Sequence, residues 1–301
     1  MLMSAPALPT APSQREVVVV GGGPRGWIAA HPVLAVVLLT HALTWAVLVP
    51  LALESHGWLP VSVPALAALG VAWGPAIAAL VVVAALGGRG GVRAYVKRLV
   101  LWRVHPGWYG LVLVGPAAYL LAGVGLAHLL GWSTSPLPAA AFPPTQVALG
   151  FLLTLLVAMV INTEEFAWRG VALPLLQRRH SALLASLLLG AVHTLWHLPY
   201  FFTLGRPFYE QVGFPAFAAW TLALTILLTW LYNSTRGSLL LPVLFHAAQF
   251  AWQQLLSPAE VAPFFISIGL LWAVAVGVIA IHGPASLAAK PRETADADLH
   301  A

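Results

Sequence analysis

Two adjacent acids, Glu164 and Glu165, lie inside a long apolar run, ALGFLLTLLVAMVINTEEFAWRGVALPLL. The other acidic residues, Glu16, Glu54, Glu210, Glu260, Glu293, Asp296 and Asp298, sit in tails or connections. A carboxylate deep in a bilayer costs several kcal/mol, so it normally faces the interior of a bundle and marks function. On a helix, Glu165 precedes Arg169 by four residues, the favourable order for an ion pair. Glu164 is turned by ~100° from Glu165 and lacks that partner. The two acids therefore divide: Glu165 with Arg169 as a structural clamp, Glu164 free to act as base or ligand. A purely structural Glu–Arg cluster would leave the second acid unexplained.

Imidazoles stand at matching places on later segments. GAVHTLWHLPYFF carries His193 and His197 four apart on one face, and LPVLFHAAQFAWQQ carries His246, followed by Gln249 and Gln253 at helical spacing. A lone membrane histidine is most often a hydrogen-bonded packing residue, and His41, His128 and His282 are read that way. Depth separates the candidates. Glu164 lies ~18 Å along a helix from about 152, His197 ~18 Å into one from about 185, and His246 ~12 Å into one from about 238. Neighbouring helices run in opposite directions, yet all three can reach a similar mid-membrane level. A carboxylate and imidazoles meeting there are what activation of a water requires.

The elements that must position these groups follow from composition. Of 301 residues 60% are hydrophobic and 8% charged, far below the ~25% charged residues of a soluble domain. The apolar residues fall into segments at about 31–53, 59–86, 108–131, 148–176, 182–204, 214–233, 238–256 and 261–282. Each approaches the ~20 residues a helix needs to cross the hydrocarbon. None alternates as barrel strands do. The fold class expected is all-α, a polytopic transmembrane bundle of about eight helices. Its expected divisions are a tail over 1–28, a membrane domain over 29–282 with its motif core at 148–256, and a disordered tail over 283–301.

Lys and Arg collect in alternate connections: Arg15 and Arg25; Arg89, Arg93, Lys97, Arg98 and Arg103; Arg178 and Arg179; Arg236; Lys290 and Arg292. The intervening connections hold only Arg206. Cytoplasmic loops attract such residues, so both termini are expected in the cytoplasm, no secretory signal being apparent, and the protein in a plasma (inner) membrane. Residues 89–104 read as a basic amphipathic helix on the inner leaflet. The net charge of +5 thus reflects membrane orientation, and no nucleic-acid partner is expected. Gly21, Gly23 and Gly26 have the spacing of a dinucleotide-binding turn, but the chain enters a membrane span and the next acid is Glu54. That turn requires a βαβ unit, so no nucleotide is expected. The chain has no cysteine, which removes disulfides, thiolate metal sites and cysteine nucleophiles.

Taken in order, Glu164-Glu165 with Arg169, Trp196-His197-Leu198-Pro199 and Phe245-His246 resemble the three motifs of the CAAX-protease and bacteriocin-processing family of intramembrane proteases, with Trp73-Gly74-Pro75 as supporting context. The resemblance implies hydrolysis of a peptide bond in the membrane near the cytoplasmic side, on membrane-associated peptides or lipidated proteins. It implies that Glu164 polarises a water, that His197 and His246 hold it or stabilise the oxyanion, and that Glu165 with Arg169 orients the helix. The family is often labelled metalloprotease. Zinc hydrolases typically use three protein ligands and an open position, which Glu164, His197 and His246 could supply, with His193 as an extra. A metal-free glutamate mechanism uses the same residues. Two positions depart from the pattern: His193 stands where an aromatic residue is usual, and Phe250 where a small polar residue is thought to steady the oxyanion, a role Gln249 or Gln253 could take. The alternative is a non-catalytic immunity or binding protein on the same fold, which Phe250 supports. An ion-coupled transporter would spread ionisable groups over several depths and carry paired Gly or Pro interruptions; here they share one level.

Overall fold

The computed structural model describes residues 23–60 and 62–294. Among these residues there is no strand, as lipid requires of a chain whose backbone polar groups must be satisfied within each segment. Helices α1 (Pro24–Ala30) and α2 (Pro32–Ser55) lead into α3 (Ala68–Leu99), α4 (Gly107–Leu129) and α5 (Pro144–Ile161). Then come the short α6 (Glu164–Ala167), a π-helical turn over Trp168–Ala172, and α7 (Leu173–Gln177). Next are α8 (Ala182–Trp196), a 3₁₀ turn over Leu198–Phe202, α9 (Pro207–Val212), α10 (Phe214–Ser234), α11 (Leu240–Leu256) and α12 (Ala262–His282). Proline stands in the first turn of α1, α2 and α5, where its missing N–H costs nothing.

Seven of the described helices are long and apolar enough to cross a membrane. Each of the eight expected segments holds a helix, but the seventh, α11, has only 17 residues, about 26 Å, and is made polar by its histidine and glutamines. The fourth expected segment is a larger correction. Residues 148–176 do not form one helix: α5 stops at Ile161, and Asn162 and Thr163 break the chain before α6. Residues 24–30, expected largely within a tail, form α1, where Arg25 Nε donates to the Ala85 carbonyl at 3.1 Å. The remainder of the expected N-terminal tail, including Gly21, lies outside the described residues.

Two cores flank the break. One joins α2, α3, α8 and the 164–177 segment through Val36, Val82, Trp168, Leu173 and Leu189. The other joins α4, α10, α11 and α12 through Val112, Ile226, Leu241 and Leu271. Gly74 lets α3 approach α2 closely, because a Cβ there would meet Thr44 Cγ2 at 2.7 Å. The basic segment is helical only to Leu99 and continues α3 past a bend at Gly88, whose φ of 55° suits glycine. Beyond α12 the chain is ordered to residue 294, against the expected disorder. Pro284 and Ala285 offer carbonyls to the first amides of α8, Leu183 and Ala182, both at 3.0 Å. Gln177 donates to the Glu293 carbonyl at 2.7 Å and Asn233 to that of Ser286 at 2.7 Å. These bonds satisfy helix-end groups that would otherwise be orphaned.

Candidate active site

The break at Asn162-Thr163 is fixed from α3. Pro75 removes a donor from that helix, and the Thr163 hydroxyl enters the ladder beside it, donating to the Ala72 carbonyl at 2.6 Å and accepting from the Ala76 amide at 3.3 Å. Further along, Pro174 has no N–H for the Gly170 carbonyl four residues earlier, and its ring crowds that oxygen. The chain answers with the π turn over Trp168–Ala172, a device common at functional sites. Arg98 Nη2 donates to the freed Gly170 carbonyl at 2.9 Å, and Tyr95 donates to that of Phe166 at 2.9 Å. Gly170 is required here, since a Cβ would meet Tyr95 at 2.8 Å.

So held, the two acids face different partners. Glu165 and Arg169, each 0% exposed, pair at 3.1 Å. Glu165 Oε1 also accepts from His246 Nδ1 at 3.1 Å, so the clamp joins α11 to the segment. Glu164 faces α8, where His193 Nε2 lies 2.6 Å from its Oε2. His197, the C-cap of α8, directs Nδ1 to the His193 carbonyl at 3.1 Å, which leaves Nε2 as its free ring nitrogen. Ligand atoms of Glu164, His193 and His197 all lie within 4.8 Å of one another. His246 is outside that group. Of the three-residue set expected for a metal, Glu164 and His197 belong to that group and His246 lines the same cavity outside it, and His193, read as an extra filling an aromatic position, stands in contact with Glu164. The spacing of four already placed both imidazoles on one face; it could not show which acid they would meet.

The cluster opens into a cavity of about 910 Å³ whose walls include His246, Gln249, Phe250 and Gln253. Trp196 and Phe217 pack on the His197 ring at centroid distances of 4.7 and 4.8 Å. Asn162 also lines the cavity, with Oδ1 buried and lacking a hydrogen-bond partner among the described residues. Sequence reasoning passed over it, although a polar Asn-Thr pair inside an apolar run just before two acids is a helix-start signal. Tyr209, on α9, is a second missed wall residue; burial, reinforced by Tyr200 and Glu164, pushes its phenol well up, so it remains a neutral donor. His41 and His128 instead direct ring nitrogens to the carbonyls of Val37 and Ser135.

A bundle of membrane-length helices that buries a carboxylate and imidazoles against an internal cavity defines an integral membrane protein with an intramembrane polar site. Residues 143–252 match the family model described as type II CAAX prenyl endopeptidase, Rce1-like. The chain is also similar to CAAX prenyl protease 2 of Methanococcus maripaludis, at 32% identity over 130 residues, which are 41% of this chain and 47% of that protein. The match thus spans about half the length of that relative. The segment carrying the site is thus the part of the chain that is similar to CAAX proteases.

Proposed function

We propose that the chain is an intramembrane endopeptidase that hydrolyses peptide bonds of membrane-associated or lipidated peptides, its partners being the bilayer and the peptide, with both termini in the cytoplasm of a plasma (inner) membrane. The observation that carries this reading is the Glu164–His193–His197 cluster facing a cavity large enough for a peptide segment. Glu164, fixed by His193, accepts a proton from a water whose oxygen attacks the scissile carbonyl. The carboxamide of Asn162 is a donor for the developing oxyanion, and His246 stands on the same cavity wall to assist it. Glu164 then returns the proton to the leaving amine as the carbon–nitrogen bond breaks. Glu165 and Arg169 act through position, by orienting His246 and the segment.

The donor set also suits a divalent metal such as zinc: a carboxylate and two imidazoles leave one position open. His197 gives Nδ1 to a backbone carbonyl, the outer-shell arrangement of a metal-bound histidine, whereas His193 Nδ1 is buried without a hydrogen-bond partner among the described residues. Bound there, zinc would lower the pKa of a water and polarise the scissile carbonyl. Glu164, His193 and His197 would hold it; the metal-free route uses the same residues.

Purified protein with a membrane peptide tests the reading. Glu164→Gln should reduce cleavage by roughly 10²- to 10⁴-fold, the worth of a positioned base, while thermal stability in detergent is retained. Wild type incubated with a chelator separates the two routes. Undiminished cleavage by Glu164→Gln would reject the proposed base.

A further inference from the structure

The arm of α3 beyond Gly88 has two unlike faces. Residues 68–87 are already about 30 Å of helix, the full hydrocarbon thickness, so the bend at Gly88 puts residues 89–99 at the membrane surface. One face of the arm is committed to the protein. Tyr95 and Arg98, both buried, hold the segment that bears Glu164 through the carbonyls of Phe166 and Gly170. The other face is exposed. Arg89, Arg93 and Lys97 repeat every four residues along it, and Val92, Val96 and Val100 form a parallel row beside them. Together with Ala84, on the spanning part of the helix, the two rows line a groove of about 600 Å³. No acid lines it, and none of the three cations has a hydrogen-bond or ion-pair partner among the described residues. Like charges four apart on a helix repel, so an anion laid along the row relieves that repulsion.

We propose that this groove binds an anionic phospholipid, its phosphate held by Arg93 and Lys97 with Arg89 beside them, and an acyl chain lying against the valine row and descending past Ala84. The chemistry of the two rows selects the ligand. A phosphate alone would leave Val96 and Val100, 44% and 62% exposed, without contact, and a neutral lipid would leave three charges uncompensated. Basic residues beside a membrane span attract anionic lipid. Trp102, just past the arm, and Trp27, on the helix that Arg25 ties to the Ala85 carbonyl, are both exposed, as tryptophan is at the headgroup level. Because the arm's other face holds the π turn, a lipid seated here also steadies the segment that carries Glu164. The groove shares no lining residue with the cavity at Glu164, so lipid binding does not depend on the endopeptidase reading.

The purified full chain in neutral detergent is titrated with phosphatidylglycerol, with phosphatidylcholine of the same acyl chains, and with inorganic phosphate. Bound lipid is counted by native mass spectrometry, and the unfolding temperature is followed alongside. Wild type should bind phosphatidylglycerol in preference and unfold at a higher temperature when it is bound; the other two should have neither effect. Arg93→Gln with Lys97→Gln should weaken binding about 25-fold, roughly fivefold for each charge removed. Arg179→Gln with Lys290→Gln removes as much charge from exposed positions outside the groove and should leave the affinity unchanged. Ala84→Trp fills the groove at its hydrocarbon end without changing charge and should also weaken binding. Equal binding of phosphatidylcholine, an equal effect of inorganic phosphate, or equal losses in the two double variants overturns the proposal, the last because the attraction would then be diffuse. Should Arg93→Gln with Lys97→Gln lower stability in the absence of lipid, Arg93→Gln alone carries the same test, with a fivefold loss expected and an unchanged affinity overturning the site.

Discussion

Residues 144–161 and 164–177 are one apolar stretch of sequence, yet they solve opposite problems. In α5 only Leu155 and Ala158 are buried, and Leu152, Leu153, Leu156 and Val157 are turned outward. Past the break, every residue from Ala167 to Leu175 is buried, among them a whole arginine and a whole tryptophan. The first half is solvated by lipid; the second is solvated by protein. Average hydropathy does not tell these apart, since lipid tails are as apolar as leucine. The difference lies in what each half asks of its neighbours. The second half contains charges, a glycine that must meet Tyr95 and a proline that releases a carbonyl, and each demands a specific partner. The first half demands almost nothing.

The most damaging way to probe that contrast is to remove one buried partner. Arg169→Ala leaves Glu165 uncompensated in the interior, a change worth about 3–5 kcal/mol for a buried pair, and most folded protein should be lost, as read by yield and thermal unfolding in detergent. Retention of normal stability would mean that the pair is not the clamp between α11 and the segment. Next in size is His193→Phe. The ring contributes the 2.6 Å contact that fixes Glu164, and outer-shell or ligand partners of this kind are typically worth 10- to 100-fold. A fall of that order in kcat/KM at unchanged thermal stability is expected, with loss of any zinc measured in the purified protein if a metal is resident. Full activity would return His193 to the packing role that its place in the family pattern suggests.

Much of this was legible in the residues. The helical class, the eight apolar segments and the Glu165–Arg169 pair follow from composition and a spacing of four. That both acids face the bundle interior follows from their cost in lipid. What could not be read is where a helix yields to a tertiary demand. Asn162-Thr163 looks like a modest interruption until Thr163 is seen to enter the α3 ladder beside Pro75, a partner some ninety residues away. The π turn needs Pro174, Arg98 and Tyr95 together, and only the fold unites them. The ordered C-terminal strap was missed because small and polar residues signal disorder, whereas here their backbone carbonyls cap α8 and the Gln177–Asn233 amide pair.

A smaller effect tests the break. Thr163→Val keeps the shape but removes the hydroxyl that bonds Ala72 and Ala76, at a cost of about 1–3 kcal/mol for groups left unmade. The variant should unfold at lower temperature and lose activity to a greater degree than stability alone explains, because Glu164 begins the very next turn. Equal activity per folded molecule would show that α6 is held by its downstream contacts alone.

The smallest expected effect lies on the other side of the comparison. Leu152 and Leu156 are 49% and 53% exposed on α5. In water, truncating two such side chains would forfeit little because they bury little; in a bilayer it forfeits less, because lipid contacts replace protein contacts with no change of medium. Each change to alanine should therefore shift stability by no more than about 0.5 kcal/mol, the range of substitutions away from packed or paired sites, and leave cleavage per molecule unaltered. Leu155→Ala is the internal control, since Leu155 is only 8% exposed and packs towards Ala247 and Ala251 of α11; it should be the most costly of the three. If the two outward leucines proved as costly as Leu155, α5 would have a protein neighbour on its outer face, and the division between a lipid-solvated and a protein-solvated half would fail.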